Sequence, residues 1–543
     1  MSSYVATVLD TTGIQPYIFG SNRLRENIGG SYLVDQATNE WAKKSLLKLA
    51  RETNCSVRIP DLEKPAEKPY IEDGEVAAEL VYAGGGNTVL LFDSTDNAKK
   101  FTQILSKQIL QEAPGINLVA AHHEFSWNES LYQVIQTLMK KLERQKRERI
   151  PSAPLLGLGV TASCQSTQLV AVDRSDRHEC PRPYLVSREI VAKLDAVKAA
   201  NDSLDQTLFD PKAPKKYRIP LDFDDFGRSF GENSYLAIVH ADGNGMGDRF
   251  QEHGKKAKSN RDYIRTMREL SYSVHCAGLA ALKEVANAVI NSIDSESKVK
   301  GKFAIKDKYL PFRPLVYGGD DVTFVCDGRL GLELAAIYLR AFAEQKVADG
   351  EPLSACAGVC IVKAHYPFSR AYQLSEELCK NAKIFVRNIS EEDGSEHLSA
   401  LDWHIAASGL FGSVGQIRQR EYQVKEGDLT IRPVLLSNHD YKWRTWPAFT
   451  NMVQTFNEGK EWKGRSNKVI ALREKLREGQ DSISHFLKAY DLSNLPPIEQ
   501  AADEVQTYGW TEGRCGYFDA IEAMEFYISL KEEESSEHLP TEN

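Results

Sequence analysis

Long apolar runs and a cysteine framework are both missing from this chain. No run of about 18 apolar residues occurs among its 543 residues, which excludes a transmembrane helix. The opening MSSYVATVLD has no cationic stretch followed by an apolar one, so we expect no secretory signal. The nine cysteines are an odd number without regular spacing, which favours a reducing, cytoplasmic location.

A strongly basic balance is also missing. The net charge of −9 argues against a protein whose whole surface wraps nucleic acid, although it leaves room for a local basic groove. No Walker A motif, G-x-S-x-G elbow or papain-like cysteine signature is found. The composition, 42% hydrophobic and 26% charged, is typical of a globular protein, and the length predicts two to four domains.

The most informative feature is a weak internal repeat. YVATVLD (4–10) and YLAIVHAD (235–242) are rich in β-branched and aromatic residues and end in turn formers, so both are predicted strands. ELVYAGGGNTVLLF (79–92) and RPLVYGGDDVTFVC (313–326) each join two apolar runs through a glycine-rich turn, as in a β-hairpin. Each half therefore contains a strand followed by a hairpin.

The spacing within the two halves supports a duplication. If Thr11 is paired with Asp242, and Gly86 with Asp320, the separations are 75 and 78 residues. Both hairpins are followed by a helical pattern and a further strand, and a helix over 367–389 closes the second half. The order βαββαβ predicts an antiparallel-containing sheet with helices on one face.

The predicted organisation has five parts, which are a first domain, a charged and proline-rich connector with a helical piece near 186–200, a second domain, a helical C-terminal domain and an acidic disordered tail. Their boundaries are 1–175, 176–232, 233–410, 411–530 and 531–543.

Three carboxylates of the second domain are predicted to converge. Asp242 ends a strand, and Asp320 and Asp321 lie at a hairpin tip. If the strands are neighbours, the three side chains meet at one sheet edge and suit two Mg²⁺ or Mn²⁺ ions about 3.5–4 Å apart. The alternative is a surface turn with solvated aspartates.

The glycines around these aspartates predict a nucleotide site. Gly243, Gly245 and Gly247 allow backbone N–H groups to approach a triphosphate closely. Asn244 in the same turn, and Gly318 and Gly319 in the hairpin, are included in the predicted site.

These motifs resemble a known family. The GGDD hairpin, the strand ending in DGNGMG and the following helix are similar to the palm domain of the CRISPR polymerase family. That family comprises the large subunits of type III CRISPR effector complexes and their stand-alone relatives, and it is similar in fold to GGDEF diguanylate cyclases and class III nucleotide cyclases. GIQPYIFGSNRLRENIGGSYLV (13–34) and SALDWHIAASG (399–409) also resemble segments of those subunits.

The resemblance implies an α+β fold with two ferredoxin-like palm domains and a helical C-terminal domain. It implies synthesis of cyclic or linear oligoadenylates from ATP, as messengers in antiviral defence. Expected partners are ATP or other NTPs, an effector protein that responds to the product, RNA or CRISPR complex subunits, and a second copy of the chain, but no membrane.

Carried over by position, Asp242 matches the first-strand metal ligand and Asp320 and Asp321 match the acidic pair of GGDD. Many relatives have a second acid where this chain has Asn244, so a ligand there is in doubt, although Gly243 could offer its carbonyl as a metal ligand.

The segment CKNAKIFVRN (379–388) is similar to the cyclase pattern in which a lysine reaches the triphosphate. Lys383 is the candidate and Arg387 a weaker one. The alternative for each is a solvated charge on an amphipathic helix.

The first domain departs from the family's catalytic pattern. It has Thr11, Gly86 and Asn87 in place of the three carboxylates, so it is predicted to be a non-catalytic partner. Asp10 and Asn87 are candidates for contacting a second nucleotide, with a structural role in a turn as the alternative.

Other metal signals are weak. The first palm begins near residue 4, so no HD nuclease is expected ahead of it, and neither His439-Asp440 nor His122-His123 replaces one. Cys164, His178 and Cys180 lack zinc-finger spacing, and ordinary reduced cysteines are the preferred interpretation. The basic stretch 140–149 is interpreted as a solvated helix face, with RNA or a partner as the alternative.

The sequence thus supports an enzyme that joins nucleotides through the second palm. Two other functions stay open. One is a catalytically silent scaffold that binds nucleotide or RNA, and the other is a cyclase that makes a mono- or dinucleotide product.

Overall fold

The structure is a computed structural model with helices and strands throughout. It describes residues 3–61, 68–84, 86–148, 157–178, 180, 182–209, 216–227, 234–406, 412–440 and 442–530. The predicted disordered tail, 531–543, lies outside the described residues. None of the described helices is both long and apolar enough to cross a bilayer.

In its described residues, the first palm contains five strands and five α-helices. They are β1 (Ser3–Thr12), α1 (Ile14–Phe19), α2 (Leu24–Thr38), α3 (Glu40–Thr53), β2 (Val57–Arg58), β3 (Ala78–Gly84), β4 (Asn87–Phe92), α4 (Thr95–Glu112), β5 (Asn117–Ser126) and α5 (Leu131–Glu148). The sheet order is β2-β3-β4-β1-β5, and β1 is antiparallel to both β4 and β5. The predicted hairpin and its flanking helix and strand are confirmed.

The helical piece predicted in the connector is confirmed, and it is longer than expected. After the short strands β6 (Asp173–Arg174) and β7 (Leu185–Val186), the connector forms the 21-residue helix α6 (Arg188–Leu208). The buried Lys193 ammonium donates to the Tyr17 carbonyl at 2.6 Å and to Glu189 at 2.7 Å, which ties α6 to the first palm.

The second palm repeats the pattern on a six-stranded sheet. Its elements are β8 (Tyr235–Gly243), α7 (Met246–Lys255), α8 (Asn260–Asn291), β9 (Lys298–Val299), β10 (Phe303–Ala304), β11 (Phe312–Tyr317), β12 (Asp321–Asp327), α9 (Gly331–Ala343), β13 (Ala355–Lys363), α10 (Phe368–Asp393) and β14 (Ala400–Ala406). The order is β11-β12-β8-β13-β14, followed by β17 (Val434–Leu435).

The prediction that helices cover one face of each sheet is wrong. On β8, Ala237 and Val239 face a core shared with α8 and α9, whereas Leu236 and Ile238 face a core shared with α10. Seven of its nine residues are buried, and a strand that is apolar on both faces requires cover on both. The first sheet is covered in the same way, with α5 and part of α8 packed on its second face.

The C-terminal segment is mainly helical, as expected, but it also contains a small sheet. Its elements besides β17 are α11 (Val414–Glu421), β15 (Gln423–Val424), β16 (Gly427–Asp428), α12 (Trp446–Glu458), α13 (Ser466–Glu478), α14 (Gln480–Ala489), α15 (Glu504–Tyr508), β18 (Trp510–Thr511), β19 (Arg514–Cys515) and α16 (Phe518–Ala523). Strands β15, β16, β19 and β18 form a four-stranded sheet. Since β17 extends the second palm's sheet and the two parts share one hydrophobic core, this segment is built onto the second palm.

The two palms exchange equivalent contacts. Each hairpin has a register shift in its first strand, at Val81 in β3 and at Leu315 in β11. From the second palm, Arg268 of α8 donates to the Val81 carbonyl at 2.9 Å. From the first palm, Ser31 of α2 donates to the Leu315 carbonyl. Each bulge thus offers a carbonyl to a helix of the other palm, α8 or α2, which gives a partner to a backbone group at an irregular point of the ladder.

A buried ionic cluster reinforces this interface. The Glu79 carboxylate of β3 is fully buried and pairs with Arg261 at 2.7 Å and with Arg268 at 3.2 Å, both on α8, and with Arg58 at 3.3 Å. Buried charges persist only when paired in this way. The relative position of the palms is therefore set by directional contacts.

Candidate active site

Strand pairing brings the predicted carboxylates together at one end of the second sheet. β12 is antiparallel to β8, and Asp321 lies directly opposite Asp242 in the register. Asp320 precedes β12 at the hairpin tip, and its carbonyl accepts a hydrogen bond from the Gly243 N–H at 3.1 Å. The convergence expected from the sequence therefore follows from the sheet register.

Lys383 reaches this end of the sheet from α10. Its ammonium donates to Asp242 Oδ2 at 2.7 Å and to the Gly243 carbonyl at 2.8 Å. Both side chains are partly exposed, Asp242 by 38% and Lys383 by 26%. An amphipathic-helix lysine in free solvent, the alternative considered above, is thereby excluded, because Lys383 is anchored at the carboxylates.

The carboxylates repel one another. Burial, followed by the charges of Asp242 and Asp320, raises the pKa of Asp321 well above its ordinary value. Burial and then Asp242 raise the pKa of Asp320. The Oδ1 atom of Asp321 is buried without a hydrogen-bond partner among the described residues. A single lysine therefore leaves this cluster with excess negative charge.

These features fit a divalent cation. Asp242, Asp320 and Asp321 supply hard oxygen donors on short side chains, and an ion held there would satisfy the orphaned Asp321 oxygen. Within the described ranges, no group of three or more His, Cys, Asp or Glu side chains is arranged so that it could hold a metal ion as it stands. Asp242 is instead turned towards Lys383.

Gly243 is a close-packing position. A methyl group on its Cα would lie 2.8 Å from Asp320 Cβ and 2.8 Å from Met246 Cγ. Since side chains do not approach so closely, only glycine allows the strand end and the hairpin tip to meet here.

The rest of the predicted phosphate turn divides into two parts. The Asn244 amide donates to the Leu398 carbonyl at 2.9 Å and to Ser354 Oγ at 3.2 Å, and its backbone N–H donates to the Ser354 carbonyl. Asn244 therefore fastens the turn to the start of β13. By contrast, Gly245 and Gly247 open the first turn of α7 with no atom near their Cα hydrogens, which is where helix N–H groups can meet a phosphate.

The GGDD tip rests on α8. Gly318 and Gly319 have positive φ values of 126° and 85°, which only glycine adopts without strain. A methyl group on Gly278 of α8 would lie 2.4 Å from the Gly319 carbonyl oxygen. The helix and the hairpin tip thus approach each other through glycines on both sides.

Two site neighbours were missed by the sequence analysis. His240 Nδ1 lies 3.4 Å from Asp321 Oδ1 and 3.2 Å from Thr323 Oγ1, and its ring packs edge-on against Tyr372 of α10. Tyr372 stacks in turn on Phe19 of the first palm at 4.0 Å. Strand alternation in the sequence could have identified His240, because it lies two residues before Asp242 and therefore shares its face of the sheet.

The first palm contains a reduced copy of the site, and it corrects the predicted pairing of Thr11 with Asp242. Asp10 lies opposite Asn87 in the register, as Asp242 lies opposite Asp321. Asp10 is therefore the equivalent of Asp242, and Lys146 of α5 forms an ion pair with it.

Lys146 was also missed, because the basic stretch that contains it was interpreted as a solvated face. The internal repeat could have identified Lys146 as the equivalent of Lys383. Lys146 is the sixteenth residue of α5, and Lys383 is the sixteenth residue of α10.

The remaining candidates lie elsewhere. Arg387 is exposed on α10. Cys164 is buried in an apolar cluster with Tyr184 and Ile190, and the His178 ring lies 3.6 Å from Asp195. Among the described residues no zinc-type group forms there.

Comparisons with known proteins agree with this geometry. Residues 235–389 match the family model described as Cas10/Cmr2, second palm domain. A crystal structure of a Csm1-Csm4 cassette in complex with cA4 is 12% identical, with a TM-score of 0.52, and the match covers 96% of this chain and 69% of that one.

Two further crystal structures match similarly. One is the Csm1-Csm4 cassette in complex with AMPPNP, at 14% identity and TM-score 0.51, covering 97% of this chain and 69% of that chain. The other is Csm1 in T. onnurineus, at 14% identity and TM-score 0.50, covering 97% and 70%. At these identities the likeness shows a shared fold. No curated protein matches the chain.

Proposed function

We propose that this chain is a Cas10-like member of the CRISPR polymerase family, because residues 235–389 match the Cas10/Cmr2 second palm domain, and that its second palm converts ATP into cyclic or linear oligoadenylates. The observation that carries the proposal is the meeting of Asp242, Asp320 and Asp321 with Lys383 at one end of the sheet. Crystal structures of the similar Csm1-Csm4 cassette are complexes with AMPPNP and with cA4.

In the proposed reaction, the 3′-hydroxyl of one nucleotide attacks the α-phosphorus of the next. A P–O bond forms, the bond to the leaving pyrophosphate breaks, and the hydroxyl proton passes to solvent. Repetition extends the chain, and attack by its own 3′-hydroxyl closes a ring.

The carboxylates, the lysine and the glycine turn would have different roles in this reaction. Asp242, Asp320 and Asp321 would hold two Mg²⁺ or Mn²⁺ ions, which supply Lewis-acid activation of the hydroxyl and neutralise the phosphate charge. Lys383 would move from Asp242 to the triphosphate, since a cation that already faces this edge requires little reorganisation. The N–H groups at Gly245 and Gly247 would orient the phosphates from the start of α7.

The setting of the reaction is also a proposal. We expect a cytoplasmic protein that works in antiviral defence and whose product is sensed by an effector protein. Because the matched structures contain Csm4, we expect assembly with a subunit of that kind, and contact with RNA within such a complex.

The experiment is to incubate the purified chain with each NTP plus Mg²⁺ or Mn²⁺ and to resolve products by liquid chromatography and mass spectrometry. An oligoadenylate made by the native chain and absent with Asp320→Ala/Asp321→Ala would support the proposal. Equal synthesis by the double variant would refute it. A mono- or dinucleotide product would support the same active site with a different acceptor hydroxyl, as in the third function considered above.

A second candidate is a nucleotide-binding scaffold without turnover. It is favoured by one observation, that Asn244 occupies the position of a second acid and is committed to hydrogen bonds with Leu398 and Ser354. Tight ATP binding without pyrophosphate release, even with added RNA and partner subunit, would select it.

A further inference from the structure

A polar cavity lies on the side of α10 away from Lys383, where this helix meets the C-terminal segment. Its volume is about 320 Å³, at the lower end of small-molecule sites. Four arginines and two asparagines contribute to its wall, namely Arg418, Arg432, Arg444, Arg514, Asn381 and Asn388. Asp428 is the one carboxylate among the lining residues.

The positive charge of this wall is only partly neutralised. Arg418 pairs with Asp402 behind the wall, and Arg514 pairs with Asp428 at 3.2 Å. Arg444 uses its donors on the Ile431 carbonyl at 2.6 Å and the Pro433 carbonyl at 2.9 Å. Throughout the described chain, no carboxylate lies within ion-pair distance of Arg444. Burial, followed by the nearby Arg514, lowers its pKa, as expected of a cation that lacks a counter-charge.

Unused donors remain beside the cavity. Arg432 is 1% exposed, and its Nη1 has no hydrogen-bond partner among the described residues, although the guanidinium pairs with Asp519 at 3.4 Å and Glu522 at 3.3 Å. The Nε of Arg418 is likewise buried and unpartnered. Buried donors without acceptors are costly, and a phosphate supplies several acceptors at once.

One side of the cavity is apolar. Phe385 lies beneath the Arg444 guanidinium, with 4.3 Å from the guanidinium carbon to the ring centre. Ile384 beside it is 54% exposed, which is unusual for a large aliphatic side chain. Arginines on one wall and an apolar surface with amides on the other match a phosphate joined to a planar base.

We propose that this cavity is a binding site for a nucleoside phosphate, separate from the carboxylate site. A small nucleotide suits it better than a polynucleotide, because its walls come from α10, α11, residues 428–433, Arg444 and β19 and leave a limited volume. An occupant would contact the helix that carries Lys383, since Asn381 and Ile384 lie within one turn of that residue. The proposal does not depend on catalysis at the second palm.

The test measures binding of AMP and ATP by calorimetry in EDTA, using full-length Asp320→Asn/Asp321→Asn protein to suppress binding at the carboxylates. Inorganic pyrophosphate and a single-stranded RNA oligonucleotide are the comparison ligands. The variants are Arg444→Gln, Arg514→Gln and Asn388→Ala. Arg420→Gln is the matched control, because Arg420 lies on α11 but pairs with Glu421 outside the cavity.

We expect one nucleotide to bind, with Kd raised at least about tenfold by Arg444→Gln and Arg514→Gln and unchanged by Arg420→Gln. If Arg444→Gln fails to fold, Arg514→Gln at the rim and the exposed Asn388→Ala decide the matter. Unaltered affinity in those variants would overturn the proposal. Equal binding of pyrophosphate, or binding of RNA alone, would overturn its assignment to a nucleotide.

Discussion

The two palms share a framework and differ, at the site, in the two hairpin residues that are Gly86 and Asn87 in the first palm and Asp320 and Asp321 in the second. Both place an aspartate at the same register position and pair it with the sixteenth residue of a long helix, as Asp242 with Lys383 and Asp10 with Lys146. Only the second palm adds carboxylates at its hairpin. The difference teaches that the Asp–Lys pair belongs to the common fold, whereas the GGDD pair distinguishes the proposed catalytic copy.

The surroundings of the two aspartates differ as well. Asp242 keeps 38% of its side-chain surface, whereas Asp10 keeps 11%. Burial raises the pKa of Asp10 even though Lys146 lies beside it. The second palm therefore leaves its Asp–Lys pair accessible, whereas the first palm largely encloses the equivalent aspartate.

The largest effect on the rate of synthesis is expected from replacing Asp321 by asparagine, the residue that the first palm has at the equivalent position, Asn87. Asp321→Asn removes one proposed metal ligand with little change in shape, so oligoadenylate synthesis should fall by at least about 100-fold, equivalent to several kcal/mol of lost transition-state stabilisation. The measurement is the initial rate of pyrophosphate release. Asn87→Ala at the equivalent position is the control and should change the rate by less than about tenfold. Comparable losses of rate in Asp321→Asn and Asn87→Ala would contradict the prediction that only the second palm is catalytic.

The two lysines allow a second comparison. Lys383→Ala should lower kcat by about 10- to 100-fold, because the cation proposed to meet the triphosphate is lost. Lys146→Ala leaves Asp10 buried without its partner, so it should mainly lower the melting temperature. Rates and thermal unfolding of both variants separate the roles. A larger loss of kcat in Lys146→Ala than in Lys383→Ala would show that the catalytic lysine is Lys146.

The palm interface should be sensitive to charge. Glu79→Gln leaves Arg261 and Arg268 without their shared carboxylate and should cost about 3 kcal/mol of unfolding free energy. Glu124→Gln, on the exposed rim of β5, is the matched control. Urea unfolding followed by tryptophan fluorescence measures both, and equal stabilities would refute the interface role.

The same cluster predicts an acid transition. Burial alone would raise the pKa of Glu79, but the hydrogen bonds and charge of Arg261 outweigh it, so the pKa lies below its ordinary value. The stability it contributes is therefore present above the ordinary glutamate pKa of about 4.3 and is lost as the pH falls further. The difference between native protein and Glu79→Gln should narrow below about pH 4. A constant difference down to pH 3 would contradict this.

The smallest effect concerns the first hairpin. Gly86 has φ of +80°, so Gly86→Asp should cost about 1 kcal/mol in thermal stability. Together with Asn87→Asp it should not raise the rate of synthesis, since the backbone there differs from that at Asp320, whose φ is not positive. A clear gain in rate would show that side-chain identity alone separates the palms.

Much of this arrangement follows from local sequence patterns. Strands, hairpins and the convergence of Asp242, Asp320 and Asp321 were predictable because short-range periodicity and turn chemistry encode them. The register that equates Asp10 with Asp242 was not, because a shift of one residue leaves the pattern of a strand buried on both faces nearly unchanged. The position of Lys146 required a tertiary contact with Asp10, and the cover of both sheet faces depends on α5, α8 and α10.

The packing of α8 against the first sheet has a consequence during translation of the protein. Tyr263, Ile264 and Met267 complete the second face of the first sheet, yet they leave the ribosome well after β5 and α5. At roughly 5–20 residues per second, the nascent first palm waits for several seconds with an apolar surface uncovered. A fragment that ends before α8 should therefore aggregate, and one that extends through α8 should be much more soluble.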